Sequence, residues 1–231
     1  MSFAPLSLTA HRRPPLAGGR PRRLVLLLHG YGADGQDLLG LAPYWAPSLP
    51  DCGFVAPDAP FPCEIGFGRQ WFGIEGTDLA TKAAAARAAA TLLDAFIDAE
   101  LADAGLDEAA LALVGFSQGS MMALHVAPRR ARALAAVVGY SGLVVDGDSL
   151  RSAARSRPPV LLVHGDADPV VPFSAMAAGA AALTAAGLPV ETLARPGLGH
   201  SIDEIGLSRG GAFLAAGFAA ARQTGGPGRQ P

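Results

Sequence analysis

Short apolar runs recur along the chain and mark the strands of a central sheet. The clearest run covers residues 24–28, reads Leu-Val-Leu-Leu-Leu, and stops at a His-Gly pair. A run without polar alternation is typical of a strand buried on both faces, as in a parallel sheet. We predict further strands of this kind at residues 54–56, 111–114, 135–138, 160–163 and 189–193.

Helical patterns separate these runs. Residues 78–104 begin with an alanine-rich stretch and continue with an apolar stripe at helical spacing. We predict further helices at about residues 118–127, 174–186 and 203–220. Strands that alternate with helices indicate an α/β fold with a mostly parallel central sheet and helices on both faces. We find no second core, so we expect a single domain over residues 22–222.

The two ends of the chain lack this pattern. Residues 1–21 carry arginines, prolines and glycines but no apolar stretch of signal-peptide length. We expect them to form a flexible N-terminal extension, and we expect residues 223–231 to form a disordered C-terminal tail. No apolar run is long enough for a transmembrane segment. We therefore expect a cytoplasmic protein.

Composition narrows the class of partner. Half of the residues are hydrophobic, 16% are charged, and the formal net charge is -2. This balance supports a sizeable core and gives no reason to expect nucleic acid as a partner. The two cysteines, Cys52 and Cys63, lack the neighbours of a metal site. We therefore expect a pocket for a small molecule and no bound metal.

The residues that follow the strands carry the candidate chemistry, because ligands of open α/β sheets bind at the carboxyl ends of the strands. Gly-Phe-Ser-Gln-Gly at 115–119 fits the pattern G-x-S-x-G between a predicted strand and a predicted helix. Such a turn exposes a serine hydroxyl at the positive end of the helix. Ser117 is therefore the candidate nucleophile, and the motif predicts the α/β-hydrolase fold. Ser141 lacks the second glycine and is the poorer candidate.

A serine hydroxyl needs a base, and in this fold an acid and then a histidine follow the serine along the chain. His200 is the histidine that lies beyond the candidate acids. Asp168 is the favoured acid because it lies well into the loop after the fifth predicted strand. Asp166 is the alternative, although its place at the strand end suits a loop cap. Asp203 fits the N-cap of the last helix better.

An oxyanion hole needs two converging N–H groups. One should come from the backbone of Gln118, the residue after the nucleophile. The other should come from the His-Gly-Tyr-Gly loop at 29–32, where we assign the Tyr31 backbone. Gly30 and Gly32 are the alternatives.

Aromatic residues near the predicted site are candidates for an apolar acyl pocket. Residues 57–77 form a long loop rich in proline, glycine and aromatics, and long loops in compact domains are often functional. We assign Trp71, Phe72 and Phe173 to substrate binding, with Phe61 and Phe67 as further candidates. Ordinary packing in the core or a loop is the alternative for each of them.

Several segments together resemble the phospholipase/carboxylesterase family of α/β-hydrolases, which includes acyl-protein thioesterases and small bacterial carboxylesterases. They are His-Gly-Tyr-Gly at 29–32, Pro-Asp-Ala-Pro at 57–60, Trp-Phe at 71–72, Gly-Phe-Ser-Gln-Gly-Ser at 115–120, His-Gly-Asp-Ala-Asp-Pro-Val-Val-Pro at 164–172 and Gly-His-Ser-Ile at 199–202. The resemblance implies a triad of Ser117, Asp168 and His200, and it implies no cofactor. The chain departs from the family pattern at Gly73, where an aspartate is common, and this affects the acyl side of the pocket.

These observations predict a serine hydrolase that cleaves carboxylic esters of small to medium acyl chains through an acyl-enzyme. Activity should need neutral His200, so we expect the rate to fall as the pH drops through the histidine range. A thioesterase or a lysophospholipase is the alternative, because the same triad cleaves these bonds. A catalytically silent binding protein is an alternative of another class. The sequence leaves open a monomer or a homodimer.

Overall fold

A computed structural model describes residues 8–74 and 78–224 of the chain. Its strands are β1 (Ala10–Arg13), β2 (Arg23–Leu28), β3 (Cys52–Pro57), β4 (Phe61–Pro62), β5 (Arg69–Gln70), β6 (Leu111–Phe116), β7 (Ala136–Tyr140), β8 (Val160–Gly165) and β9 (Val190–Arg195). Its helices are α1 (Gly35–Leu39), α2 (Ala42–Trp45), α3 (Leu79–Ala104), α4 (Gln118–Val126), α5 (Gly147–Ala153), α6 (Ser174–Ala185) and α7 (Glu204–Thr224).

One seven-stranded sheet organises the fold, in the order β1-β3-β2-β6-β7-β8-β9. Strand β1 is antiparallel to β3, and the other neighbouring pairs are parallel. The predicted α/β-hydrolase architecture is confirmed, with a mostly parallel sheet and each predicted strand in it. Among the helices of the described residues, none is long and apolar enough to cross a membrane.

The side chains of β2 explain why its sequence is apolar throughout. Leu24, Leu26 and Leu28 belong to the core on one face of the sheet, which also contains residues of α3, α4 and α6. Val25 and Leu27 belong to the core on the other face, with residues of α2 and α7. Successive side chains of a strand point to opposite faces, so a strand covered on both sides needs apolar residues at every position.

The N-terminal segment differs from our expectation. We predicted a flexible extension over residues 1–21 and a domain that begins at residue 22, but residues 10–13 form strand β1 at the edge of the sheet. Arg12 forms an ion pair with Glu100 of α3, and the Arg20 side chain donates to the Asp103 carbonyl at 2.6 Å. The sequence Ala-His-Arg-Arg carries no strand pattern because an edge strand is partly open to solvent. Residues 1–7 lie outside the described part of the chain.

A short hairpin and three short helices are present that the hydrophobic pattern did not predict. The described part of the predicted 57–77 loop contains the hairpin of β4 and β5, and residues 75–77 lie outside the described residues. Helices α1, α2 and α5 were not predicted, because each is only four to seven residues long. Helix α7 continues to Thr224, which takes in the first two residues of the predicted tail. The remaining tail residues, 225–231, lie outside the described residues.

Candidate active site

Ser117 occupies a strained turn between β6 and α4. Its φ is 53° and its ψ is -118°, and its N–H donates to the Tyr140 carbonyl of the neighbouring strand at 2.9 Å. A positive φ is costly for a residue with a side chain, and such strain is found mostly at functional sites. The serine is therefore held at the carboxyl edge of the sheet and at the start of a helix.

Two glycines allow this turn to be so tight. A Cβ atom on Gly115 would lie 2.3 Å from the backbone of Gly119. A Cβ atom on Gly119 would lie 1.8 Å from the Leu28 carbonyl oxygen and 2.6 Å from that of His29. Real Cβ atoms do not approach so closely, so α4 reaches β2 and the loop after it only because both positions lack a side chain. This is the physical reason for the G-x-S-x-G spacing.

Asp168 and His200 meet at the same edge of the sheet, in the loops after β8 and β9. Asp168 Oδ2 lies 2.7 Å from His200 Nδ1. Asp168 Oδ1 accepts hydrogen bonds from the Val170 and Val171 amides at 2.8 and 2.9 Å. Burial opposes the charge on Asp168, but the hydrogen bonds from His200 and the two amides outweigh it and lower the pKa of the carboxyl.

The neighbouring aspartates have the structural contacts expected of them. Asp166 Oδ1 accepts a hydrogen bond from the Gly197 amide at 2.7 Å, which ties the loops after β8 and β9 together. Asp203 Oδ1 accepts from the Gly206 amide at 2.8 Å, in the manner of an N-cap of α7. Of the aspartates considered, Asp168 is the one that contacts His200.

The structure brings His200 beside the nucleophile turn without a direct hydrogen bond to it. The His200 ring packs on the ring of Phe116, the residue before Ser117, with 4.8 Å between centroids. Within the described residues, no hydrogen bond joins His200 to the Ser117 hydroxyl. Because Nδ1 faces Asp168, Nε2 is the nitrogen left for proton transfer. Such contacts are often long without substrate and shorten in the reacting complex.

The loop after β2 also lies against Ser117. A Cβ atom on Gly30 would lie 3.3 Å from Ser117 Cβ. The Gly32 amide donates to the Arg69 carbonyl at 3.0 Å, and the Ala33 amide donates to the Gly30 carbonyl at 3.3 Å. Among the hydrogen bonds of the described residues, none engages the Tyr31 amide. This distinguishes Tyr31 from Gly32 as a donor toward substrate.

The second expected donor begins helix α4. Gln118 is the first residue of the helix, so its N–H has no acceptor within the helix. The positive end of the helix dipole lies at the same place and favours negative charge there. The two amides expected to form the oxyanion hole thus lie in the loop after β2 and at the start of α4. Gly119 allows this loop and this helix to approach each other.

The aromatic residues predicted to bind substrate divide into two groups. Trp71 and Phe72 are 0% and 2% exposed and belong to the core, so the structure contradicts their assignment to an open pocket. Their apolar rings pack in the core on one face of the sheet. Phe173 is 37% exposed at the start of α6, and Phe61 and Phe67 are also exposed. Phe173 therefore stays a candidate for substrate contact.

Ser141, the alternative nucleophile, is less suited to attack. It shares a positive φ, 48°, but its side chain is buried at 1% exposure. Its hydroxyl has no hydrogen-bond partner among the described residues. Ser117, by contrast, follows a phenylalanine whose ring packs on His200.

Two buried histidines next to the site, His29 and His164, are hydrogen-bonded to loop backbone, as their places at strand ends predict. His164 Nε2 lies 3.0 Å from the Val171 carbonyl oxygen and 3.3 Å from Asp168 Oδ2, so it supports the loop that carries the acid. His29 contacts the loop that carries Tyr31. Their shared position, at the end of a buried strand and before a glycine, was visible in the sequence. Within the described residues, no group of three or more His, Cys, Asp or Glu could hold a metal ion.

A groove lies among the helices, and none of Ser117, Asp168 and His200 lines it. It has a volume of about 980 Å³ and lies between α3, α5 and α6. Its apolar wall includes Ala83, Leu143, Val144, Ala175 and Gly179, and its charged wall includes Arg87 and Asp146. Leu143 follows Gly142, where a Cβ atom would lie 3.1 Å from the Ser117 carbonyl oxygen. One residue of the groove thus adjoins Gly142, which packs against the nucleophile turn.

Comparison with known proteins gives a consistent result. Residues 17–216 match the family model described as phospholipase/carboxylesterase. The chain is 30% identical to Esterase YpfH of Escherichia coli over 79% of this chain and 77% of that protein. It is 29% identical to acyl-protein thioesterase 1 of Neurospora crassa over 82% of this chain and 86% of that protein. The crystal structure of esterase PE8 superposes with a TM-score of 0.86 and 40% identity, over 90% of this chain and 98% of that one.

Proposed function

The chain belongs to the phospholipase/carboxylesterase family and is a serine hydrolase that acts on esters, and we propose that Ser117 is its nucleophile. His200 is the general base and acid, and Asp168 orients its ring and stabilises its charged form. The observation that carries this assignment is the 2.7 Å contact between Asp168 and His200, beside a serine in a strained strand-to-helix turn.

The reaction follows from this arrangement. His200 Nε2 takes the proton of the Ser117 hydroxyl as the oxygen attacks the ester carbonyl. The Tyr31 and Gln118 amides donate to the oxyanion, which forms only in the transition state and the tetrahedral intermediate. His200 then gives its proton to the departing alcohol. Water repeats the cycle on the acyl-enzyme and releases the acid.

We propose the groove beside α3, α5 and α6 as a candidate acyl site, and the preference for small to medium acyl chains stays a prediction. Its wall near the nucleophile turn is made of small and branched apolar side chains, which suit an alkyl chain. Phe173, at the start of α6, is the aromatic candidate for contact with the substrate. A cytoplasmic location stays a prediction.

A thioesterase activity is the second candidate, because the acyl-protein thioesterase of Neurospora crassa aligns over most of this chain. The proposed triad would cleave a thioester by the same steps. The ratio of kcat/KM for a thioester to that for an ester of the same acyl chain separates the two functions.

A panel of nitrophenyl esters from acetyl to dodecanoyl, with matched acyl thioesters, tests the proposal. Ser117→Ala should lower kcat by on the order of 10⁵- to 10⁶-fold, because no other group supplies the nucleophile. Ser141→Ala, the matched control at the other strained serine, should keep most of its activity. If Ser117→Ala keeps the wild-type rate, Ser117 is not the nucleophile. If the folded wild-type protein cleaves none of the substrates, a binding role replaces the enzymatic one.

A further inference from the structure

Trp71, which the sequence assigned to substrate binding, contacts the backbone of the active-site loop instead. Its indole Nε1–H donates to the His29 carbonyl at 3.0 Å in a fully buried position. Its ring also lies 5.8 Å from the His29 ring, centroid to centroid. Trp71 therefore fixes the peptide group with which the loop after β2 begins.

His29 fixes the next peptide group of the loop. The Ala59 amide donates to His29 Nε2 at 2.9 Å, so this nitrogen is an acceptor and the ring proton lies on Nδ1. His29 Nδ1 then donates to the Gly30 carbonyl at 2.7 Å. Burial lowers the pKa of His29, which favours the neutral ring that this pattern needs.

The Gly30 carbonyl and the Tyr31 amide belong to the same peptide group. In a trans peptide the C=O and N–H bonds point in opposite directions, and no cis peptide occurs among the described residues. A hydrogen bond that holds the Gly30 carbonyl therefore sets the direction of the Tyr31 N–H. The side chain of His29 thus aims one of the two proposed oxyanion donors.

The side chain of Gln118, whose amide is the other proposed donor, is hydrogen-bonded to the backbone of Trp71. The Trp71 amide donates to Gln118 Oε1 at 2.8 Å, and Gln118 Nε2 donates to the Phe72 carbonyl at 2.7 Å. These atoms are buried, so loss of a partner would leave a polar group without compensation. The Gln118 side chain thereby anchors the first residue of α4 to the chain at residues 71–72.

We propose that Trp71 is a positioning residue that couples the two oxyanion donors, through its indole and His29 to the Tyr31 amide, and through its backbone amide and the Gln118 side chain to the Gln118 amide. We call Trp71, His29 and the Gln118 side chain the oxyanion brace. This inference rests on the proposed function, because it assumes that the two amides receive the substrate oxygen. Loss of the brace should affect the transition state more than substrate binding, since the oxyanion is absent in the ground state.

The chain offers a matched control for a test of this coupling. Trp45 is also buried, and its indole N–H donates to the Leu207 carbonyl at 2.9 Å, in the core on the other face of the sheet. Trp71→Phe and Trp45→Phe each remove one indole hydrogen bond to a carbonyl, which is buried for Trp71 and part-buried for Trp45. Only the first removes a contact of the oxyanion brace.

Both variants are measured by kcat and KM on the best nitrophenyl ester and by inhibition with a trifluoromethyl ketone of the same acyl chain. The ketone adds to the serine and places its oxyanion in the hole. Trp71→Phe should lower kcat by roughly 10- to 100-fold with little change in KM. Its inhibition constant for the ketone should rise by the same factor. Trp45→Phe should change neither. Equal effects of the two variants, or a change in KM alone, would overturn the proposal.

A second pair of variants covers the case in which Trp71→Phe does not fold. Asparagine at position 29 can place its amide nitrogen where His29 has Nδ1, so His29→Asn should keep most of the ketone affinity. His29→Ala should lose it by roughly 10- to 100-fold. If both behave alike, His29 does not aim the Tyr31 amide and the proposal is wrong.

Active-site titration of the wild type with a fluorophosphonate separates this inference from the proposed function. If Ser117 is not labelled in the folded wild type, the proposed function itself fails. If Ser117 is labelled and Trp71→Phe matches Trp45→Phe in kcat and ketone affinity, only the oxyanion brace is wrong.

Discussion

Ser117 lies between two sides of one site that are prepared for reaction to different degrees. On the oxyanion side, the carbonyls of His29 and Gly30 and the amide of Gly32 all have partners, and the Tyr31 amide has none among the described residues. On the proton-transfer side, Asp168 is fixed by two amides and by His200, but His200 makes no hydrogen bond to Ser117 within the described residues.

This difference matches the task of each side. Oxyanion donors act best when they are already oriented, because reorientation during the reaction costs free energy. The imidazole must receive a proton from one oxygen and deliver it to another, so it needs an anchored Nδ1 and a less constrained Nε2. The site therefore combines a braced electrostatic side with an imidazole anchored at one nitrogen.

The largest expected effect comes from breaking the anchor of the proton-transfer side. Asp168→Asn removes the carboxylate that holds the His200 proton on Nδ1, so we expect kcat to fall by about 10⁴-fold. The matched control is Asp166→Asn, because Asp166 contacts the Gly197 amide rather than His200. Steady-state kinetics of the two variants measure the difference. If kcat falls by a similar factor in both variants, Asp168 is not the acid that distinguishes the site.

A smaller effect, on stability, concerns His125 in α4, the helix that begins after the proposed nucleophile. His125 of α4 is buried, and its Nδ1 has no partner among the described residues, unlike either nitrogen of His29. Burial, assisted by the nearby charge of Arg129, lowers the pKa of His125 to about 4, and Asp146 only partly opposes this. The unfolded chain therefore binds a proton on His125 more readily than the folded chain does.

The lowered pKa of His125 sets the direction in which the free energy of unfolding changes with pH. The stability that neutral His125 contributes is present above the unfolded pKa of about 6.5 and is lost as the pH falls from there to about 4. His125→Leu should therefore reduce the decline in the free energy of unfolding over this range by about 3 kcal/mol. Urea unfolding of the wild type and the variant at several pH values measures it. An unchanged pH dependence in the variant would show that His125 does not titrate as described.

The chemistry at strand ends was predictable because it depends on order along the chain. The G-x-S-x-G pattern after an apolar run located Ser117, and the order of serine, acid and histidine selected Asp168 and His200 for the pair that the structure brings into contact. The sheet was predictable for a similar reason, since strands covered on both faces must be apolar throughout.

The rest depended on facts that a sequence does not carry. We predicted Trp71 and Phe72 as pocket residues because the sequence of a loop does not show which of its aromatic residues are buried. The structure places both in the core. Strand β1 escaped notice because the outer edge of a sheet tolerates arginines. The place of His29 at a strand end predicts a hydrogen-bonded loop residue, but not its partners, because the ring accepts from an amide thirty residues away and donates to the Gly30 carbonyl.

The most direct test of the central claim is the site of covalent labelling by a fluorophosphonate, mapped by mass spectrometry of peptides from the folded protein. We expect one adduct per chain, on Ser117, that forms in the native state and not after unfolding in urea. Labelling should fall sharply in Asp168→Asn, because the attack needs the His200 base. An adduct on Ser141 or another serine, with Ser117 unmodified, would show that Ser117 is not the nucleophile.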